Sequence, residues 1–303
     1  MEPLSLLPAA FGLVFSPLLL GVINRVKSVV AGRRGPPLLQ VYFDLARLLR
    51  KGAVYSSSAT WAVKMGPVAG LAAVVVALLL VPLGPIPAAL AFPGDLLLLA
   101  GLLAFQRFST MLASMDVGSS FEGMGASREA FFSTLAEPAL IVGLLVTARG
   151  ADALSLSQIA GTATASQLAA AATITPLVAV ALFLVFLAEN SRVPVDDPNT
   201  HLELTMIHEV MVLDHGGVDF AYISYAACLK LWVLGALLVA VLVPLGGQNA
   251  VVALAAFLAS MVAVAAATGA VESFTARLRL DRVPRLLVGA SGLCAVAFLL
   301  VLF

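Results

Sequence analysis

The segment ATITPLVAVALFLVFLAENSRVPVDDPNTHLELTMIHE, Ala172–Glu209, changes character at one residue. Up to Ala188 it carries no charge; from Glu189 onward it is dense in acids, histidines and prolines. The first half approaches the ~20 apolar residues that a bilayer crossing needs. The second half is too polar to enter hydrocarbon. Such a join reads as a membrane helix running into a polar connection, and the rest of the chain must decide whether it is one span of many.

It is. Of 303 residues, 61% are hydrophobic and 11% charged, where soluble domains carry about 25% charged residues. Mean hydropathy is +1.05. The fold class is therefore an all-α, polytopic membrane protein forming a single integral membrane domain over 1–303. Eight apolar runs qualify as spans: Leu4–Asn24, Ala62–Leu83, Asp95–Asp116, Glu129–Ala148, Ala172–Glu189, Phe220–Pro244, Ala250–Glu272 and Pro284–Phe303. Pro/Gly joints such as VPLGPIP and VPLGGQ separate some of them. The opening Met-Glu-Pro lacks a basic region, so the first run reads as a span rather than a signal peptide. Ser155–Thr175, uncharged and rich in Ala, Ser and Thr, fits a loop or an interfacial helix equally well. No internal repeat is evident, which removes support for an inverted-repeat transporter.

Formal net charge is zero, giving no argument for nucleic acid as a partner. Cys228 and Cys294 lie in apolar runs and form no CxxC pair, so the chain offers no cysteine set for an iron–sulfur cluster or structural zinc. Orientation follows from Lys and Arg. Fourteen of them fall in alternate connections: eight from Arg25 to Lys64, then Arg128, Arg192, and four from Arg277 to Arg285. The opposite connections hold only Arg149. The expected placement is a prokaryotic cytoplasmic membrane, crossed several times, with both termini on the outer side. The segments 25–61 and 190–219 are then cytoplasmic.

The first of these contains LLQVYFDLARLLRK. Leu38, Val41, Tyr42, Leu45, Leu48 and Leu49 recur at helical spacing, with Gln40, Asp44, Arg47 and Lys51 opposite. This predicts an amphipathic helix on the membrane surface, or one packed on protein.

Charges stand where they are costly. Arg107 and Lys230 lie well inside spans, Glu189 closes one, and Glu137 is eight residues beyond Glu129, about 12 Å along a helix. An ionised group near the bilayer centre costs at least ~2.5–3.5 kcal/mol, so it faces protein or water and often marks an ion path. Asp116, Glu122, Glu129 and Glu137 form an acidic series leading into the fourth span. Two readings stay open: a proton path, or structural pairing of Arg107 with Glu137 or Asp116 and of Lys230 with Glu189.

The polar half of the opening segment admits three chemistries. Asp196 and Asp197 begin a diphosphate-binding acidic motif, but Thr200 stands where a further aspartate belongs, and no second such motif occurs. His208-Glu209 starts like HExxH, but Val212 occupies the second histidine's place. His201, His208 and His215 recur every seven residues; on a helix they would be about 10.5 Å apart, too far to share a zinc ion. No metal site is expected. What remains is a proton-exchanging or docking loop with Glu203 and Glu209 beside the histidines, or a solvated cap on the bundle.

Three quoted stretches also resemble a known family. LAENSRVPVDDPNTHLEL is similar to the loop after helix five in subunit 1 of respiratory complex I and its relatives in membrane-bound hydrogenases. RRGPPLLQVYFDLARLL resembles that family's first loop and surface helix, and MDVGSSFEGMGASREAFFSTLAEP resembles the hydrogenase branch, that of group 4 [NiFe] hydrogenases and formate hydrogenlyases. Glu189, Arg192, Pro194, Asp196 and Glu203 fall on family positions, as do Arg33, Arg34, Asp116, Glu129 and Glu137. Val195, Asn199 and His201 depart from it, replacing a phenylalanine and two glutamates.

The resemblance implies an anchor and coupling subunit of an energy-converting oxidoreductase, itself without cofactors. Its partners would be a [NiFe]-hydrogenase-like large subunit, an Fe-S small subunit and antiporter-like membrane subunits, the first two carrying the iron–sulfur clusters and a possible [NiFe] centre. Arg33, Arg34, Arg192, Pro194, Asp196, Asp197, His201, Glu203, His208 and Glu209 would dock and couple the peripheral arm. Arg107, Asp116, Glu122, Glu129, Glu137, Glu189 and Lys230 would form the proton or sodium path. His201 would stand in for a carboxylate as a proton carrier. The alternatives are a subunit with a quinone site and a stand-alone ion or solute transporter.

Overall fold

The computed structural model describes residues 3–163, 172–197 and 206–302. Ten α-helices fall within them: α1 Leu7–Val30, α2 Gln40–Leu48, α3 Trp61–Leu79, α4 Asp95–Asp116, α5 Ser120–Ala151, α6 Leu156–Thr162, α7 Ile174–Glu189, α8 Gly217–Leu242, α9 Ala250–Phe274 and α10 Val283–Leu302. Seven are long and apolar enough to cross a membrane; α7, with 16 residues, is a shorter apolar helix. The chain is a polytopic helical membrane protein, as its composition demanded. Helices answer the lipid constraint because each satisfies its own backbone hydrogen bonds.

The central element is α8. It packs against α1, α3, α7 and α9, and 72% of its most apolar window is buried, against 22% for α9 and α10. Lipid tails are as apolar as leucine, so burial alone does not drive spans together; close contact between small residues does. A Cβ at Gly66 of α3 would lie 2.7 Å from Ala113 Cβ and 2.9 Å from the Ser109 carbonyl oxygen of α4. A Cβ at Gly269 of α9 would meet the Ile23 carbonyl of α1 at 2.9 Å. Each glycine lets two backbones approach where a side chain would hold them apart.

Several boundaries differ from the sequence reading. α1 continues to Val30, so Arg25 and Lys27 ride on a helix rather than in the first connection. α5 begins at Ser120, nine residues before the expected start, so Glu122, Glu129 and Glu137 share one helix. The short helix α6 occupies part of the Ser155–Thr175 segment. Asp95, at the start of α4, fastens it by accepting from the Ser155 hydroxyl and the Leu156 N–H. His208 and His215 do not share a helix: among the described residues from 206 to 216 there is only the 3-10 turn Glu209–Val212. His201 and Glu203 lie outside the described residues. The amphipathic α2 packs against α1 and α8, with the Tyr42 hydroxyl donating to the Val14 carbonyl, while Leu39, Phe43 and Leu49 stay exposed.

Gly66→Leu should separate α3 from α4. Overpacking of this kind costs about 1–3 kcal/mol, so the melting temperature in detergent should drop by several degrees; an unchanged melt would contradict the close-approach account.

Candidate functional site

The connections between α1 and α3, α7 and α8, and α9 and α10, with the helix ends beside them, carry most of the basic residues, and together with the α4–α5 turn they meet at one end of the bundle. Charged side chains stitch them together there. Asp116, the last residue of α4, accepts from the Thr60 N–H at 2.8 Å, the Thr60 hydroxyl at 2.7 Å and the Val63 N–H at 3.2 Å, capping the start of α3. Glu122, fully buried, accepts from the Asp214 N–H at 3.0 Å. Arg128 donates to the Met206 carbonyl at 2.8 Å.

The polar connection after α7 is built the same way. Pro194 follows a cis peptide, and its carbonyl accepts from the Leu278 N–H. The Asp196 carboxylate accepts from the Ile207 and His208 N–H groups at 3.2 and 3.1 Å and pairs with Arg277 at 2.9 Å. Asp197 donates its N–H to Asp196. One carboxylate thus closes its own loop and ties it to the turn between α9 and α10. Arg33 and Arg34 are exposed ahead of α2.

Two buried ion clusters lie close to this end. In the first, Glu272 of α9 faces Lys27 of α1 at 2.8 Å and Arg192 at 3.5 Å, with the Glu272 side chain fully buried. In the sequence Glu272 marks only the end of a span. Its signal was available: it is the single charged residue of α9.

The second cluster is the candidate site. Glu189 ends α7, where Asn190 donates to the Phe186 carbonyl at 2.8 Å and Ser191 turns left-handed with φ 51°. One Glu189 oxygen accepts from Arg107 of α4, and the other faces Lys230 of α8 at 2.8 Å. Arg107 reaches on to Glu137 of α5 at 2.6 Å. Four helices thereby contribute two cations and two carboxylates, a charge-balanced set. A helix C-terminus also favours the two cations gathered at Glu189. Arg107, Glu189 and Lys230 are almost wholly buried, whereas the Glu137 side chain is 41% exposed. Glu129 walls a small cavity shared with Arg107, Glu189 and Asp196.

So Asp116 and the acids of α5 do not form one unbroken series. Glu137 joins the array and Glu129 borders it; Asp116 and Glu122 fasten loops elsewhere. Both sequence-level pairings, Arg107 with Glu137 and Lys230 with Glu189, are present, and Glu189 links them into one array.

A cavity of about 260 Å³ lies on the loop side, walled in part by Asn24, Arg192, Asp196, His208 and Glu209. A second of about 60 Å³ adjoins it and reaches Glu189 and Lys230. Burial pushes the His208 imidazole below the usual histidine range, opposed by Glu209 and Asp196 and reinforced by Lys230. Burial likewise lowers His215, against the pull of Asp219. Among the described residues no group of three or more His, Cys, Asp or Glu could hold a metal ion.

The family model described as NADH dehydrogenase matches residues 4–303. The chain belongs to the NADH dehydrogenase family. This is the complex I subunit 1-like family that the three quoted stretches resemble. It is 29% identical to formate hydrogenlyase subunit 4 of Escherichia coli K12 over 289 residues, covering 93% of both chains. It is 31% identical to hydrogenase-4 component C of the same organism over 258 residues, 85% of this chain and 80% of that one. Among solved structures it is similar in fold to a chain of the archaeal membrane-bound sulfane sulfur reductase, a respiratory membrane complex, with TM-score 0.82, 20% identity and 98% of each chain covered.

Removing the centre of the array should be worse than removing its edge. Glu189→Ala leaves Arg107 and Lys230 facing each other without their shared carboxylate and should cost about 3–5 kcal/mol of stability. Lys230→Met leaves the Glu189–Arg107 pair intact and should cost less. Thermal melts of the two purified variants check the order, and a reversed order would contradict it.

Proposed function

We propose that the chain is the membrane-anchor and coupling subunit of an energy-converting oxidoreductase of the group 4 hydrogenase or formate hydrogenlyase type. Its basic end docks a peripheral electron-transfer arm, a [NiFe]-hydrogenase-like large subunit with an Fe-S small subunit. Its buried charges pass the effect of that contact sideways to antiporter-like membrane subunits that move protons or sodium. The relatives, named as subunits of formate hydrogenlyase and hydrogenase-4, support this reading.

Glu137 carries the argument. It lies mid-helix, 17 residues from the start of α5 and 14 from its end, yet its side chain is 41% exposed. A carboxylate at that depth is costly against lipid. A second membrane subunit covering this face removes the cost. Arg107 and Glu189 then join Glu137 to Lys230 and, through the adjoining cavities, to the docking loops. An electrostatic change at the loops can shift a proton or cation along such an array, because interactions between charges are strong where water is scarce.

The charge bias of the loops supports a cytoplasmic position for them, with both termini outside in this reading. Exposed Arg33 and Arg34, and the loop that Asp196 closes, form the docking face in this reading.

Glu137→Gln keeps size and hydrogen bonding while removing the charge. It should leave the complex assembled and its electron transfer measurable, but reduce ion movement per electron in inverted membrane vesicles by severalfold. Unchanged ion movement, or loss of the whole complex from the membrane, would favour a purely structural pair.

A further inference from the structure

The two loop-side cavities share one stretch of wall, and that stretch decides what can pass between them. Its polar residues are Asn190, Ser191, Arg192 and His208; the rest is aliphatic, including Leu20 and Ile223. The outer cavity, about 260 Å³, has room for more than one water molecule among polar groups. Asn24 and Glu209 in its wall are half-exposed. The inner cavity, about 60 Å³, ends on Glu189 and Lys230. Of the shared polar groups, an amide and a hydroxyl do not titrate near neutrality and a guanidinium does not release its proton in proteins. Histidine does both, taking up and giving back a proton between pH 5 and 8.

We propose that His208 is the proton-exchanging residue between the outer, loop-side cavity and the Glu189–Lys230 array. The inference rests on the coupling reading above and adds its entry point. In the step, the imidazole accepts a proton from water in the outer cavity and becomes imidazolium. It then returns that proton to water in the inner cavity, beside Glu189 and Lys230, and is neutral again. No bond other than N–H and O–H is made or broken, and no oxidant or reductant is consumed.

The charged groups facing His208 suit this. Burial, the largest effect, and Lys230 disfavour the imidazolium, while Glu209 and Asp196 on the loop side favour it, so the ring rests neutral and holds a proton only in passing. The backbone positions the ring independently of the ring's own chemistry, because it is the His208 N–H that Asp196 holds, at 3.1 Å. A side-chain variant therefore keeps the loop closure.

The test is chemical rescue in inverted membrane vesicles holding the assembled complex, with proton movement followed alongside electron transfer. His208→Ala should slow proton movement by roughly a hundredfold, at the low end of what loss of a positioned acid–base group costs. Added imidazole, small enough for the cavity that the truncation enlarges, should restore much of it. His208→Gln, which keeps size but cannot titrate, should be slow and not rescued. Wild-type rates in either variant would overturn the proposal, as would a loss in His208→Ala that imidazole does not repair. Lys230→Met is run beside them. If Lys230→Met and Glu137→Gln both move protons normally, the coupling reading itself fails; if they are slow while His208→Ala is normal, only the role of His208 is wrong.

Discussion

A single carboxylate at the end of a short helix sets the conditions for the rest of this molecule. Glu189 holds Arg107 with one oxygen and Lys230 with the other, and Arg107 continues to Glu137. None of these charges is tolerable alone in a low-dielectric bundle. Together they are neutral in sum, and each cation has an acid within ion-pair distance. The helices that bear them, α4, α5, α7 and α8, are therefore constrained in rotation and depth relative to one another, since a slip by one residue would turn a charge toward lipid. Apolar packing between spans is permissive; this array is not.

The same economy recurs at the basic end, where carboxylates tie down loops and helix ends. Asp116 caps α3, Glu122 holds Asp214, Asp196 closes its loop onto Arg277, and Glu272 joins Lys27 to Arg192. Loops with few apolar contacts open easily unless something ties them down. Here the ties are ionic or charge-assisted hydrogen bonds, stronger than neutral ones. A face built in this way presents a defined surface to a partner, with cavities behind it leading inward to Glu189.

Much of the fold is legible in the sequence, because in a membrane one property dominates: a run of about 20 apolar residues has few alternatives to a span. Boundaries are less legible. Charge suggests an end at Asn24, yet the helix continues to Val30, with Arg25 exposed and Lys27 paired with Glu272. Glu122 and Arg128 suggested a loop, yet they lie on the first turns of α5. For the site, lone charges in apolar runs picked out Arg107, Glu137, Glu189 and Lys230, since burial cost makes such residues conspicuous in any sequence. What the sequence could not reveal is that Glu189 joins the two pairs into one array and that the other acids lie apart from it. Asp116 and Glu122 looked like members of the path, and only the packing of loops shows them bonded to backbone N–H groups. The histidine spacing suggested one helical face, and the turn at Glu209–Val212 does not continue it.

The central claim is that this chain serves as an anchor whose charged interior is completed by partners. Mild-detergent purification of the tagged chain from its own host, with every co-purifying subunit identified by mass spectrometry, tests it most directly. The account predicts a [NiFe]-hydrogenase-like large subunit, an iron–sulfur small subunit and antiporter-like membrane subunits. A chain that purifies alone, or only with copies of itself, would contradict it.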